Sequence, residues 1–491
     1  MLSTLLLFAA GTAASGPWIS GSEVRSDLAI LRQALTTIHP GIYRYRTARQ
    51  IEASLESLER RFANGSTQGQ LFLGLSEFTA TIQCGHTFPS FWNQPAQTKQ
   101  NLFMGRDKLP FRFTWIDRRM FITKSSSEHK NLSPGTEVLS INGVPTKQIL
   151  SRLLRIVKGD GANDNKRIAE LGLQDQKKWE AFDIYYALAY PPKGVFDLRI
   201  QTPSGAKQTV HVDAVDQSTR LERLPASSPE PVKDGEEWTW TYPRPDTALL
   251  TMPNWALYNS TWNWKAFLRR CFVDLQEKGA KHLIMDVRGN GGGDEVGDEI
   301  IRYLVREQAS VSPIRTYVRV QAVDPTLRPY LRTWDPTYYN WSSQSNPLSF
   351  VETLRANAYE IRSQDHATTV ITPLKPQFQG RVTLLVDAEN SSATFQFATM
   401  VRQYKVGIIV GEPTGGNQRG INGGAIFFLT LPNSQIEVDV PIIAYVPSGR
   451  NRNEGLQPDV WIKRVKQDIT SGFDRVLDTA LRQVDSFAGI H

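Results

Sequence analysis

The chain has 491 residues, 40% of them hydrophobic, with 35 Gly, 28 Pro and a net charge of +7, which excludes disordered, collagen-like and low-complexity classes. No apolar run is long enough for a spanning helix, so no integral membrane segment is expected, and the basic residues scatter in pairs such as Arg60-Arg61 and Arg269-Arg270, which argues against nucleic acid as a partner. Two cysteines, Cys84 and Cys271, exclude a disulfide-dense scaffold and a four-cysteine zinc site.

Residues 1–15 carry no charge, a leucine-rich stretch and then small residues, the pattern of an export signal cleaved near Ala14 or Ser15. The expectation is a secreted or periplasmic protein. Export would permit a Cys84–Cys271 disulfide; a free Cys84 beside a site is the competing reading.

Residues 20–95 are expected to form a helical N-terminal domain. Val24, Leu28, Leu31 and Leu35 recur at three- and four-residue steps, followed by Ile51, Leu55, Leu58 and Phe62, then by Leu71, Phe72, Leu75 and Phe78. His39-Pro40-Gly41 stops the first helix, and the third delivers Cys84-Gly85-His86-Thr87. Residues 100–215 turn to short alternating strands around a turn at Asp117 and an Asn142-Gly143 hairpin. The string Gly135 to Gly143 resembles a segment of PDZ domains, which implies a PDZ-like β domain that takes an extended peptide along a sheet edge. Residues 217–237, rich in Ser, Pro and Glu, read as a linker.

Residues 240–465 show an α/β pattern. Strands are expected at 248–252, 282–287, 382–386 and 406–410, helices at 261–278, 294–306 and 392–404, and a hairpin at 425–446. The insertion 320–375 holds Tyr330, Trp334, Tyr338, Tyr339 and Trp341. It is either a lid or cleft wall, or a subdomain packing its aromatics inward. Residues 466–491 close the chain as a C-terminal helix. The fold class is α/β, with several domains of α+β character.

Three features carry chemistry. Asp286-Val287-Arg288-Gly289-Asn290-Gly291-Gly292-Gly293 follows a buried strand and opens a helix, which leaves backbone N–H groups free for a developing negative charge. It lacks the Lys of a phosphate loop and the last Gly of a dinucleotide fingerprint. Asn390-Ser391-Ser392-Ala393 lies at a second strand-to-helix turn, where a serine is either a nucleophile or a helix cap. His86 ends a helix, and Glu454 stands in Asn453-Glu454-Gly455-Leu456-Gln457-Pro458-Asp459.

The order of these motifs resembles the tail-specific, or C-terminal processing, serine peptidases and their tricorn-core relatives. The matching strings are Gly85-His86-Thr87, Ile141-Asn142-Gly143, Asp286 to Gly293, Ser392-Ala393, Val410-Gly411-Glu412-Pro413-Thr414-Gly415-Gly416 and Gly455 to Val460. The resemblance implies a crotonase-like ββα core and a serine endopeptidase that works on exposed C-terminal or unfolded segments of a peptide or protein substrate, with no metal or other cofactor. Carried onto this chain, it makes Ser392 the nucleophile, His86 the base, Glu454 the acid behind it, and the N–H groups of Gly292 and Ala393 the oxyanion hole. Ser391 is the alternative nucleophile. Asn417 stands where one branch carries a lysine base, Cys84 where the other carries an Asp, and Phe395 where an acid follows the serine. Those departures keep two alternatives open: a decayed scaffold that binds an apolar ligand or peptide, and a hydrolase of non-peptide esters or amides.

Overall fold

The computed structural model describes residues 16–174, 179–191, 193–224, 238–258, 260–310, 314–362 and 370–488. The export-signal stretch 1–15 and residues 225–237 of the expected linker lie outside the described residues. No helix among the described residues is long and apolar enough to cross a membrane.

The three apolar stripes become the helices Gly21–Ile38, Ala48–Arg61 and Gln68–Ile82. Each starts with a capping box: Ser20 with Glu23, Thr47 with Gln50 and Thr67 with Gln70. The third helix ends at Gln83 in the left-handed region, φ 60°, which turns the chain sharply into Cys84-Gly85-His86. Buried Asp27 on the first helix accepts the N–H groups of Asn433 and Ser434 at 3.0 and 2.8 Å. That contact docks the helical layer onto the hairpin of strands Asn422–Thr430 and Glu437–Pro447.

The β domain is an antiparallel sheet of Phe111–Ile116, Arg119–Ser125, Glu137–Ile141, Val195–Gln201 and Lys207–Asp213, in that order. Asp117 and Arg118 (φ 51° and 59°) and Asn142 and Gly143 (φ 50° and 81°) form its two tight turns, as the primed hairpin geometry requires. The helix Gln217–Arg223, capped by Asp216, replaces the start of the expected linker. Its fully buried Arg220 reaches Asp183 at 2.6 Å, so this segment is tied to the domain rather than free of it.

The core sheet runs Val460–Trp461, Ile408–Gly411, Arg381–Val386, His282–Asp286, Thr247–Thr251, Thr239–Arg244, parallel except for the last pair. Its central strand His282–Asp286 is buried along nearly its whole length, which explains the uninterrupted apolar run. A second six-stranded sheet is built around the 422–447 hairpin and includes strands Ile314–Val318 and Ala356–Glu360 from in and beside the aromatic insertion. Trp341 is buried and Tyr330, Tyr338 and Tyr339 pack on the same core as the N-terminal helices, whereas Trp334 stays exposed. The described residues of the insertion therefore form chiefly a packed subdomain. The expected terminal helix is two, Lys466–Ser471 and Arg475–Ala488, broken at Gly472 (φ 66°).

Candidate active site

Strands His282–Asp286 and Arg381–Val386 are parallel neighbours, with Asp286 opposite Leu385. Their carboxyl ends emerge side by side, and in open parallel sheets that edge is where ligands bind. Both loops that leave it, 287–295 and 387–391, carry the motifs singled out above.

The second loop enters the helix Ser392–Gln403 through Ser391, an extended residue at φ −136°, and Ser392, at φ 51°. A non-glycine residue in the left-handed region at the head of a helix is strained, and such strain collects at functional turns. The two serines differ in engagement. Ser391 Oγ donates to the Gly291 carbonyl at 3.0 Å, while Ser392 Oγ makes no hydrogen bond among the described residues.

Two asparagines lock the loops together. Asn390 Oδ1 accepts the Asp387 N–H at 2.7 Å, and its amide donates to the carbonyls of Val287 and of Asn290, the latter at 3.0 Å. Asn290 donates to the Met252 carbonyl at 2.9 Å and accepts from Thr394 Oγ1 and from the Gly292 N–H, each at 2.9 Å. Both asparagines are fully buried. Beneath them Arg288 forks onto Asp286 and Asp474 at 2.6 and 2.7 Å, and Asp387 accepts the Gly289 N–H at 3.0 Å. Burial pushes the Asp387 carboxyl up, opposed by Arg464 at 3.1 Å.

The glycine loop approaches the serine turn closely. A Cβ on Gly292, whose φ is 105°, would fall 2.7 Å from Ser392 Cβ and 2.9 Å from the Ser391 carbonyl oxygen. Only glycine fits there. The Gly292 N–H, expected as an oxyanion donor, is instead held by Asn290 Oδ1, two residues earlier, in a local turn. Ala393 N–H, in the first turn of its helix, has no hydrogen-bond partner among the described residues and remains available.

His86 lies beside the segment 414–423. Gly415 and Gly416 donate to the Asn390 carbonyl at 2.7 and 3.1 Å, and seven residues on, a Cβ on Gly423 would lie 3.4–3.6 Å from the His86 ring. One short stretch of chain thus touches both the serine turn and the imidazole. Next to His86, Thr87 Oγ1 bonds buried His39 Nε2 at 2.8 Å, and His39 Nδ1 accepts the Gly41 N–H at 3.1 Å. That acceptor role assigns the His39 proton to Nε2. Burial holds His39 far below the usual histidine value, down to about 3, with the Arg44 cation adding to the effect.

The carboxylate beside His86 is Asp160. It is buried, accepts the Gly85 N–H at 2.8 Å, and has an oxygen within 4.8 Å of a His86 ring nitrogen. Burial lowers the His86 pKa; Asp160 pulls it up, while Lys158 and Lys166 push it further down. His86 Nδ1 is buried without a hydrogen-bond partner. Glu454, expected in the acid role, directs its carboxylate to Arg452 at 3.3 Å with the side chain 42% exposed; what it brings inward is its carbonyl, which accepts the Gln418 N–H at 3.0 Å. Asn417, at the lysine position of the other branch, donates to Asn453 Oδ1 at 2.8 Å and to the Asp160 carbonyl at 3.3 Å, so it ties the Asp160 loop in place. Cys84 and Cys271 are both free and buried, and Asn422 Nδ2 donates to Cys84 Sγ at 3.4 Å.

Asp160, Asn290 and Asn390 were given no role from sequence. The two asparagines lay inside the quoted strings, each two residues before a Gly or Ser that needs fixing. Asp160 offered only its place between Gly159 and Gly161.

A strained serine stands at a strand-to-helix turn, faced by a glycine loop and joined through one segment to an imidazole with a carboxylate beside it. Residues 246–462, just under half of the chain, match the model of Peptidase family S41, which supports a serine-type peptidase. No curated protein matches. Among solved structures, mature CPAF complexed with lactacystin is 14% identical at a TM-score of 0.64, covering 94% of this chain and 98% of its own. Mature CPAF alone is 13% identical at 0.59, covering 91% and 94%. At that identity they show the shared fold. The photosystem II D1 C-terminal processing protease is 15% identical at a TM-score of 0.40, covering 90% and 93%.

Proposed function

We propose that the chain is an exported endopeptidase that cuts exposed C-terminal or unfolded segments through an acyl-enzyme on Ser392. The observation that carries this reading is Ser392 itself: left-handed, unengaged, and pressed against Gly292 where the two active loops meet.

Ser392 Oγ attacks the peptide carbonyl and passes its proton to His86, which hands it to the leaving amine. Water then repeats the sequence and releases the acid. Ala393 N–H donates to the oxyanion, and Gly292 supplies the room for the substrate carbonyl rather than a donor. Asp160 is the orienting acid, in place of Glu454: it holds the loop before His86 and favours the imidazolium that forms. Burial keeps the resting imidazole neutral, which a general base requires. The uncharged, apolar residues 1–15 support export to the periplasm or beyond.

The test is mass spectrometry of an unfolded protein, its folded form and a small ester after incubation with the enzyme. Internal cleavage of the unfolded chain is expected. Turnover of the ester with no peptide bond cut would move the chain to the ester hydrolases.

A further inference from the structure

We propose that Cys84, His86 and Asp160 form a binding site for one thiophilic divalent cation of the zinc type, and that loading it stops the peptidase by occupying His86. The binding half rests on geometry alone; the inhibitory half rests on the proposed role of His86.

One ligand atom from each residue — a thiol sulfur, a ring nitrogen and a carboxylate oxygen — lies within 4.8 Å of the other two. Thiolate, imidazole and carboxylate together are the donor set of zinc sites with three protein ligands and an open fourth position. Metal–ligand bonds of about 2.0–2.3 Å in tetrahedral array space the donors by roughly 3.3–3.8 Å, so the cluster closes by about 1.5 Å at most on loading. The segments that must move are short turns. Cys84 and His86 flank Gly85, and Asp160 lies between Gly159 and Gly161, the latter at φ 58°.

The donors also have capacity to spare. His86 Nδ1 is buried with no hydrogen-bond partner, a costly condition that a metal bond relieves. Asp160 commits Oδ1 to the Gly85 N–H, which fixes the carboxylate in the way an outer hydrogen bond fixes a metal ligand and leaves Oδ2 to bind. Asn422 Nδ2 points at Cys84 Sγ, a contact that suits a thiolate. On binding, the thiol proton leaves to solvent as the metal–sulfur bond forms, with no change of oxidation state. A metal-bound imidazole lacks the lone pair, or the freedom, to take the Ser392 proton. Cys271, buried on the helix Trp264–Glu277 and absent from any such cluster among the described residues, is the internal control.

The experiment reads binding and inhibition separately. Metal-stripped Ser392→Ala protein is titrated with Cd2+ by calorimetry and by the near-ultraviolet cadmium–thiolate absorption. One Cd2+ per chain with the thiolate band is expected; the band disappears with Cys84→Ser and persists with Cys271→Ser. Asp160→Asn, checked for folding by circular dichroism, is expected to weaken Cd2+ binding in calorimetry, and unchanged affinity would remove Asp160 from the site. No thiolate band, or a band retained without Cys84, overturns the site. In wild-type enzyme, Zn2+ is expected to abolish peptide cleavage and excess chelator to restore it. Cleavage unaffected by Zn2+ while Cd2+ binds would overturn the inhibitory claim; absence of cleavage in the metal-free enzyme is a failure of the peptidase reading and leaves the binding result standing.

Discussion

Asp160 accepts the Gly85 N–H at 2.8 Å, although 75 positions separate the two residues. An acid between two glycines of the β domain thereby fixes the turn that presents His86. If it orients the imidazole, Asp160→Asn lowers kcat/KM by roughly 10²–10⁴-fold while the circular dichroism spectrum is kept. Glu454→Gln, which loses only an exposed contact with Arg452, stays near wild type. The opposite ranking in steady-state assays would return the acid role to Glu454.

The His86 pKa is lowered, so in metal-free buffer the acid limb of kcat/KM should lie below the usual histidine value near 6.5. Lys158 pushes that pKa down, so Lys158→Met moves the limb to higher pH; Asp160 pulls it up, so in Asp160→Asn the residual activity has its limb at still lower pH. A pH–rate series on the three proteins measures both signs, and shifts in the reverse directions would detach these charges from the base.

Gly292 meets Ser392 Cβ and the Ser391 carbonyl so closely that Gly292→Ala must displace the serine turn. Adding a side chain at φ 105° costs about 1–2 kcal/mol of stability, and the displaced nucleophile loses about 100-fold or more in kcat. Thermal melts with single-turnover assays separate the two effects.

Asn390→Ala strands two buried backbone groups, the Asp387 N–H and the Asn290 carbonyl, and takes one of two donors from the Val287 carbonyl, which keeps the Asn290 N–H. The expected loss is about 2–4 kcal/mol, with activity falling in parallel. Ser391→Ala removes one half-exposed bond, costs about 0.5–1 kcal/mol and keeps most activity. Urea unfolding of both variants checks the contrast.

His39 is neutral in the fold, with a pKa of about 3 against about 6.5 in an unfolded chain. Between those values the unfolded state binds more protons, so this residue's contribution to stability is complete above about 6.5 and is lost as pH falls toward 3. His39→Gln should therefore flatten the acid side of the stability curve relative to wild type. Parallel curves down to pH 4 would exclude His39 as the sensor.

The helices and the parallel strands were legible because apolar spacing records burial directly. Leu28, Leu31 and Leu35 lie on one buried face, and the run Leu283-Ile284-Met285 is buried on both sides of its sheet. Asn142-Gly143 was legible as a turn because both residues need positive φ. The resemblance placed an acid at Glu454, whose carboxylate meets Arg452 two residues earlier, whereas the carboxylate beside His86 belongs to Asp160, a proximity across the chain that spacing does not encode. Likewise the glycine loop was legible as a set of amides, yet Asn290 takes the Gly292 N–H through a contact that spacing alone leaves open. The helix Gln217–Arg223 hid in a polar stretch because its anchor is the buried Arg220–Asp183 pair rather than an apolar stripe.

The nucleophile is the point on which the rest depends, and covalent labelling by a serine-directed phosphonate, mapped by peptide mass spectrometry, addresses it most directly. The account predicts one adduct on Ser392, retained in Ser391→Ala and lost in Ser392→Ala and His86→Ala. An adduct that survives Ser392→Ala, or maps to Ser391 in the unmodified protein, would contradict it.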